Sequence, residues 1–158
     1  MGEIGERLSE LGLEMPEPMR PPVGVTFRYD LVRVHDGLAY VSGHGPVDGE
    51  RTLASGKVGS DLDVDEGAAA ARSVGLAILA SLERALGDLD RVTGWIRAFG
   101  MVNCDPGFNA MPAVVNGFSG LVADVWGERG RHARSAIGVA ELPFDWPVEV
   151  EAVVAVRA

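Results

Sequence analysis

The stretch that decides the fold is His132-Ala133-Arg134-Ser135-Ala136-Ile137-Gly138-Val139-Ala140-Glu141-Leu142, followed after Pro143–Pro147 by Val148-Glu149-Val150-Glu151-Ala152-Val153-Val154-Ala155-Val156. It reads as two strands, His132–Leu142 and Val148–Val156, around a turn with a proline at either end. At period two, Val148, Val150, Ala152, Val154 and Val156 fill one face of the last strand. Val153 and Ala155 make the far end of the other face apolar as well, and Ala136 and Ala140 sit opposite Ile137 and Val139. A sheet built on these strands needs cover on both sides.

Working outward, two helices supply one cover. Asp63–Leu86 carries a stripe of Ala70, Val74, Ile78, Leu82 and Ala85 and is stopped by Gly87. Asp63 and Glu66 have the spacing of a capping box. Ala110–Trp126 places Met111, Val115, Phe118, Val122 and Val125 on one face, with Gly127 behind it. Between the helices, Asp88–Arg91 is a tight loop and Val92–Val102 reads as a strand broken by Asp105-Pro106-Gly107. Upstream, Phe27–His35 and Leu38–His44 form a hairpin about Asp36-Gly37. Asp48–Ser60 is a Gly-rich polar loop carrying Arg51 and Lys57. Residues 1–22 form an N-terminal extension: a short helix or tail over Met1–Gly12, with Ile4, Leu8 and Leu11 at helical spacing, then the linker Met15–Pro22 with four prolines in eight residues. Residues 23–158 then make a single domain of order ββαβαββ, an α+β sheet with both helices on one face. No element is left for the second face, so an obligate homo-oligomer with sheets packed together is expected. An alanine-lined face left partly wet is the alternative.

Composition narrows the function. The 158 residues are 47% hydrophobic and 23% charged, as in an ordinary globular domain. No apolar run approaches the ~20 residues of a membrane span, and no secretory signal is visible. A cytoplasmic location is the expectation. One cysteine, Cys104, excludes an intrachain disulfide and a Cys-rich zinc site. The net charge of −9 repels a phosphate backbone, so nucleic acid is not an expected partner. Of the 14 basic residues only Lys57 is lysine, which confines any Schiff-base chemistry to that position.

Several motifs fail. Asp61, Asp63 and Asp65 open like a calcium loop, but Glu66 and Arg72 stand where glycine and the bidentate glutamate belong. Gly43-His44-Gly45 lacks a third glycine, Ser119 lacks nucleophile-elbow spacing, and His35, His44 and His132 lack metal-ligand spacing. Cys104 beside its Asp-Pro-Gly turn has a reactive thiol as one reading, but a lone loop cysteine is more often incidental. What survives is Arg134. It stands at the start of a strand among small residues, and its planar fork matches a carboxylate bidentately. A solvated strand-end arginine is the alternative on these residues alone.

At this point the sequence resembles the RidA/YjgF family of reactive-intermediate deaminases, once labelled endoribonucleases or translation inhibitors. Its ending pattern ARS-x-V-x-VA-x-LP, then VEIEA, is met by ARSAIGVAELP (133–143) and VEVEA (148–152), and its LVYVSGQ-x-P by LAYVSGHGP (38–46). The resemblance implies a chorismate-mutase-like fold and a homotrimer whose three sheets form a central barrel with clefts between subunits. It implies Arg134 as the carboxylate ligand, Glu149 as the acidic residue, and Asn116, Gly43 and Tyr29 as substrate-binding positions. A solvated amide at Asn116, a core aromatic at Tyr29, a strand-end bulge at Gly43 and a salt-bridged carboxylate at Glu149 are their structural alternatives. Ala136 replaces a cysteine frequent in deaminating members, and Gly138 a commonly polar position. The activity implied is hydrolysis of a small 2-imino or 2-enamino acid to a 2-keto acid and ammonia, with no cofactor and no metal. Binding of a small carboxylate metabolite without turnover is the alternative. Ribonuclease activity, resting on Arg129, Arg131, His132 and Arg134, is a third.

Overall fold

A computed structural model describes residues 2–158; Met1 lies outside them. Seven strands and three α-helices follow in the order α1 (Glu3–Glu10), β1 (Val32–His35), β2 (Leu38–His44), β3 (Val47–Asp48), β4 (Arg51–Thr52), α2 (Val64–Leu86), β5 (Val92–Asn103), α3 (Met111–Trp126), β6 (Ala133–Val139) and β7 (Val148–Val156). Five strands form one sheet in the order β1-β2-β7-β5-β6, and β3 and β4 form a small separate hairpin. Only β5 and β6 run parallel; every other neighbouring pair in the main sheet is antiparallel. The chain therefore ends by inserting β7 between β2 and β5, which sews the two halves together.

Both long helices pack on one side of the sheet and against each other, as the sequence pattern requires. Asp63 caps α2 through the expected reciprocal bonds with Glu66, and Gly87 closes it in a left-handed turn at φ 78°. Along β7, Val148, Val150, Ala152, Val154 and Val156 are buried against the helices. They meet Val74, Ile78, Leu82, Phe118, Leu121 and Val122 in the core. The helices come very close at Gly117, where a Cβ would stand 1.9 Å from the Ala68 carbonyl oxygen. At Gly100 on β5 a Cβ would stand 2.6 Å from Val115 Cγ1. Missing side chains at these two positions set how deeply α3 sits.

Four local expectations need correction. The first strand begins at Val32, not Phe27. Leu31 still accepts from Ser42 N–H and the Asp30 carbonyl from Ser42 Oγ–H, but further back the chain leaves the sheet, so Val23, Val25 and Tyr29 are exposed. The loop 48–60 contains the β3–β4 hairpin, held by Gly49 at φ 62° and an Arg51–Asp48 ion pair. Ala85 lies on the solvent side of α2, because the covered arc there runs through Leu82 and Leu86. The strand before the final turn ends at Val139 rather than Leu142. In the N-terminal segment, Ile4, Leu8 and Met19 are buried, and the Asp90 carboxylate accepts from the backbone N–H groups of Glu3 and Ile4. Those bonds hold its pKa below the usual carboxylate range. No helix among the described residues is long and apolar enough to cross a membrane.

Candidate active site

Register places Arg134 in a row that is otherwise apolar. Across the sheet it continues through Ala98 on β5, Ala152 on β7, Val41 on β2 and Val32 on β1. The row faces the helices, and Arg134 ends it on the edge strand β6. Its aliphatic stem leaves the core there and its guanidinium meets α3. Pro112, Asn116 and Ser119, spaced four and three apart, share one helical face and receive it. One Nη1 hydrogen goes to Asn116 Oδ1 at 2.8 Å and the other to Ser119 Oγ at 3.1 Å. Nη2 donates to the Pro112 carbonyl at 3.3 Å.

That cradle is neutral. Arg134 enters no ion pair among the described residues, whereas Arg7, Arg51, Arg72 and Arg129 each find a carboxylate. Of its five N–H donors, three are engaged; Nε–H and one hydrogen of Nη2 carry no partner among the described residues. The result is a fixed, uncompensated cation with two donors left, on Nε and Nη2, the kind of group that takes a carboxylate.

A second cluster lies on the opposite face of the same sheet. Glu149 on β7 pairs with Met101 on β5, which pairs with Ile137 on β6, and this row points away from the helices. Glu149 is half-buried, and burial, helped by the neighbouring charge of Glu151, pushes its carboxyl above the usual range. A Cβ on Gly43 would stand 2.9 Å from Glu149 Cδ, so the glycine is what lets this carboxyl lie against β2. Tyr29 approaches from the departing chain, 54% exposed and stacked on Phe27 with ring centroids 5.2 Å apart. Partial burial and the Glu149 charge raise its hydroxyl pKa. Thus Arg134 and Asn116 are together, and Tyr29, Gly43 and Glu149 are together. No hydrogen bond among the described residues joins the two groups.

Two residues beside Arg134 have no part in the sequence reading of its carboxylate site: Ser119, dismissed there as a nucleophile and lying 2.9 Å from His132 Nε2, and His132, which enters there only through the ribonuclease alternative. The 112/116/119 spacing on one helix face was the available signal. Other polar residues are accounted for structurally. His44 is fully buried between the Ser42 carbonyl, 2.6 Å from Nδ1, and Ser81 Oγ, 2.9 Å from Nε2, and burial lowers its pKa to about 4. Lys57 Nζ donates to Asn103 Oδ1 and to the Ala140 carbonyl. Cys104 Sγ fills the space above Gly138, 2.8 Å from where a Cβ would be.

Comparison with known proteins agrees with this architecture. A family model described as "YjgF/chorismate mutase-like, putative endoribonuclease" matches residues 5–150. The chain is 39% identical over 155 residues to Protein TCP17 of Trypanosoma cruzi, covering 97% of this chain and 94% of that one. The crystal structure of the Agrobacterium tumefaciens protein Atu1372, of unknown function, superposes with a TM-score of 0.87 at 38% identity, over 98% of this chain and 92% of that one. A crystal structure from Shewanella oneidensis, described as that of "a putative endoribonuclease", gives a TM-score of 0.88 at 29% identity over 97% of this chain and 99% of that one. With the family model spanning nearly the whole sheet and the ARS and VEVEA segments in register on β6 and β7, the chain belongs to the YjgF/RidA family and has its chorismate-mutase-like α+β fold.

Proposed function

We propose that Arg134 grips the carboxylate of a small 2-imino acid in a cleft between copies of the chain, where Glu149, Gly43 and Tyr29 of a neighbouring copy complete the site and the C=N bond is hydrolysed. The neutral cradle carries this reading: a cation held at three donors with two left over is arranged for an anion that the chain itself does not supply. The separation of the two clusters supports an assembly, because Arg134 sits on an edge strand and Glu149 on the uncovered face.

In this reading water adds to the imine carbon and its two protons pass in turn by way of the Glu149 carboxyl to the nitrogen, the first as the carbinolamine forms and the second from its hydroxyl as the C–N bond breaks, to give the 2-keto acid and ammonia. A carboxyl whose pKa is raised by burial both accepts and returns a proton more readily near neutrality than an ordinary surface carboxylate. The imine is electrophilic already, so positioning supplies most of the acceleration. Asn116 serves here by fixing Arg134. The homotrimer, the cytoplasmic location and the independence from cofactors belong to the same proposal. Ribonuclease activity has less support: Arg129 is paired with Glu3 and Arg131 with Glu128, which leaves only His132 and Arg134 of that cluster facing a phosphate backbone without a carboxylate partner among the described residues.

The test is Arg134→Ala, assayed by keto-acid release from an imine generated in situ. Activity is expected to fall to the buffer rate with the oligomer intact, and Glu149→Gln is expected to lose about 100-fold or more. Full activity in Arg134→Ala refutes the assignment. Pyruvate binding that disappears in Arg134→Ala, without any acceleration by the unaltered protein, selects metabolite binding instead.

A further inference from the structure

We infer that Ser119 and His132 are positioning residues for Arg134, forming a polarised chain that decides which of its N–H groups face a ligand. The inference rests on the Arg134 reading above but concerns residues that reading does not use. Its direction follows from one backbone atom. His132 Nδ1 lies 2.8 Å from the Gly130 carbonyl oxygen, which can only accept, so Nδ1 carries the proton. In the neutral ring Nε2 is then bare and accepts from the Ser119 hydroxyl at 2.9 Å. With its hydrogen committed to His132, Ser119 Oγ presents a lone pair to Arg134 Nη1 at 3.1 Å. Gly130 carbonyl, His132, Ser119 and Arg134 therefore form one sequence of donors and acceptors with no free choice of orientation.

The far end of this chain is anchored in the core. Gly130 is buried, and a Cβ there would stand 2.3 Å from the Val122 carbonyl oxygen, so its backbone is pressed onto α3. The His132 ring also meets Phe118, a fully buried residue, edge-on at 5.8 Å and 70°. Arginine has four side-chain torsions to fix, and its stem starts from an exposed edge strand. Asn116 Oδ1 and the Pro112 carbonyl, without Ser119, would hold Nη1 by one bond to a helix side chain and leave its other hydrogen unpaired. The third acceptor, anchored through His132 in the core, takes that hydrogen and holds Nη1 inward, which leaves Nε–H and the remaining Nη2 hydrogen for the ligand. Neither Ser119 nor His132 is required to touch the substrate.

The experiment uses the full chain and pyruvate as the probe, titrated by calorimetry. Ser119→Ala and His132→Asn are expected to weaken binding about tenfold, the cost of losing a hydrogen bond in a charged network. In the imine assay the same loss appears in KM, with kcat changed less than about threefold. Asparagine keeps the bond to Gly130 but does not reach Ser119, whereas glutamine reaches Ser119 with an accepting oxygen. His132→Gln is therefore expected to stay within about threefold of the unaltered protein. Unchanged binding in Ser119→Ala and His132→Asn beside its loss in Arg134→Ala overturns the inference and leaves the Arg134 reading standing. Retention in His132→Asn with loss in His132→Gln also overturns it. If pyruvate binding is absent, or is the same with and without Arg134, the earlier reading fails, and nitrogen NMR of the Arg134 guanidinium decides this one. Hindered rotation that is released in Ser119→Ala supports the chain; equal rotation in both overturns it.

Discussion

The two faces of the sheet, separated by one layer of backbone, are finished in opposite ways. On the helix side, rows such as Val32–Val41–Ala152–Ala98 are dry and end in a single charged residue, Arg134, at the strand edge. On the other side, Arg33, Tyr40, Val153 and Arg97 share a row, and Phe99 and Glu151 another, so apolar and charged groups alternate over an open groove. The first face specifies the fold of one chain. The second is a surface with directional groups as well as apolar area, suited to a partner in defined register rather than to indiscriminate burial.

Adjacent residues on β7 give the sharpest way to break this contrast. Val154 is fully buried, and Val154→Asp places an unpaired charge in the core; a loss of more than about 4 kcal/mol is expected, enough to abolish a cooperative urea transition in a typical domain. Val153 points to the open groove. Val153→Asp is expected to cost the isolated chain about 1 kcal/mol or less while lowering the oligomeric state seen by sedimentation. Similar effects from both substitutions would erase the distinction between the faces.

Acid probes the helix side next. His44 is held neutral with a pKa of about 4, against 6.5 for the free side chain. The unfolded chain therefore takes up a proton that the folded chain refuses between those values. Stability is complete above pH 6.5 and falls as the pH drops towards 4, by about 3 kcal/mol in all. Chemical denaturation across that window checks the slope, and His44→Gln is expected to flatten it.

The smallest effect belongs to the open side. The raised pKa of Glu149 means that its ionised form is disfavoured by folding, so the penalty appears as pH rises from 4.5 through the folded value. Glu149→Gln is expected to stabilise the unassembled chain at pH 7 by less than about 1 kcal/mol, because solvent screens a half-exposed group. The gain vanishes below pH 4.5. Loss of stability at pH 7 would show instead that the carboxylate is satisfied by a partner.

Periodicity made the strands, both long helices and the capping box legible, because burial on a regular element leaves its spacing in the chain. Phe27–Leu31 misled because its apolar residues alternate as a strand would, while the backbone bonds available to it end at Asp30 and Leu31. The ARS segment indicated Arg134, but not that the residue shares a sheet face with the helices and lies across the sheet from Glu149. That follows from register, fixed by the insertion of β7 between β2 and β5, a non-local event with no local spacing. Ser119 was legible only as a helix residue; its partner His132 lies beyond the end of that helix, and the bond between them exists only once the chain doubles back.

Because Gly100, Ala136 and Gly138 lie on the strands beneath α3, the seat of that helix is set by residues that take no part in the arginine cradle. Adding one methyl group at Gly100 would press on Val115 and lift the helix, carrying Asn116 and Ser119 away from the guanidinium with their chemistry intact. The shape of the arginine cradle is thus adjustable from the floor, by volume alone, without exchanging any group that carries a charge or a proton.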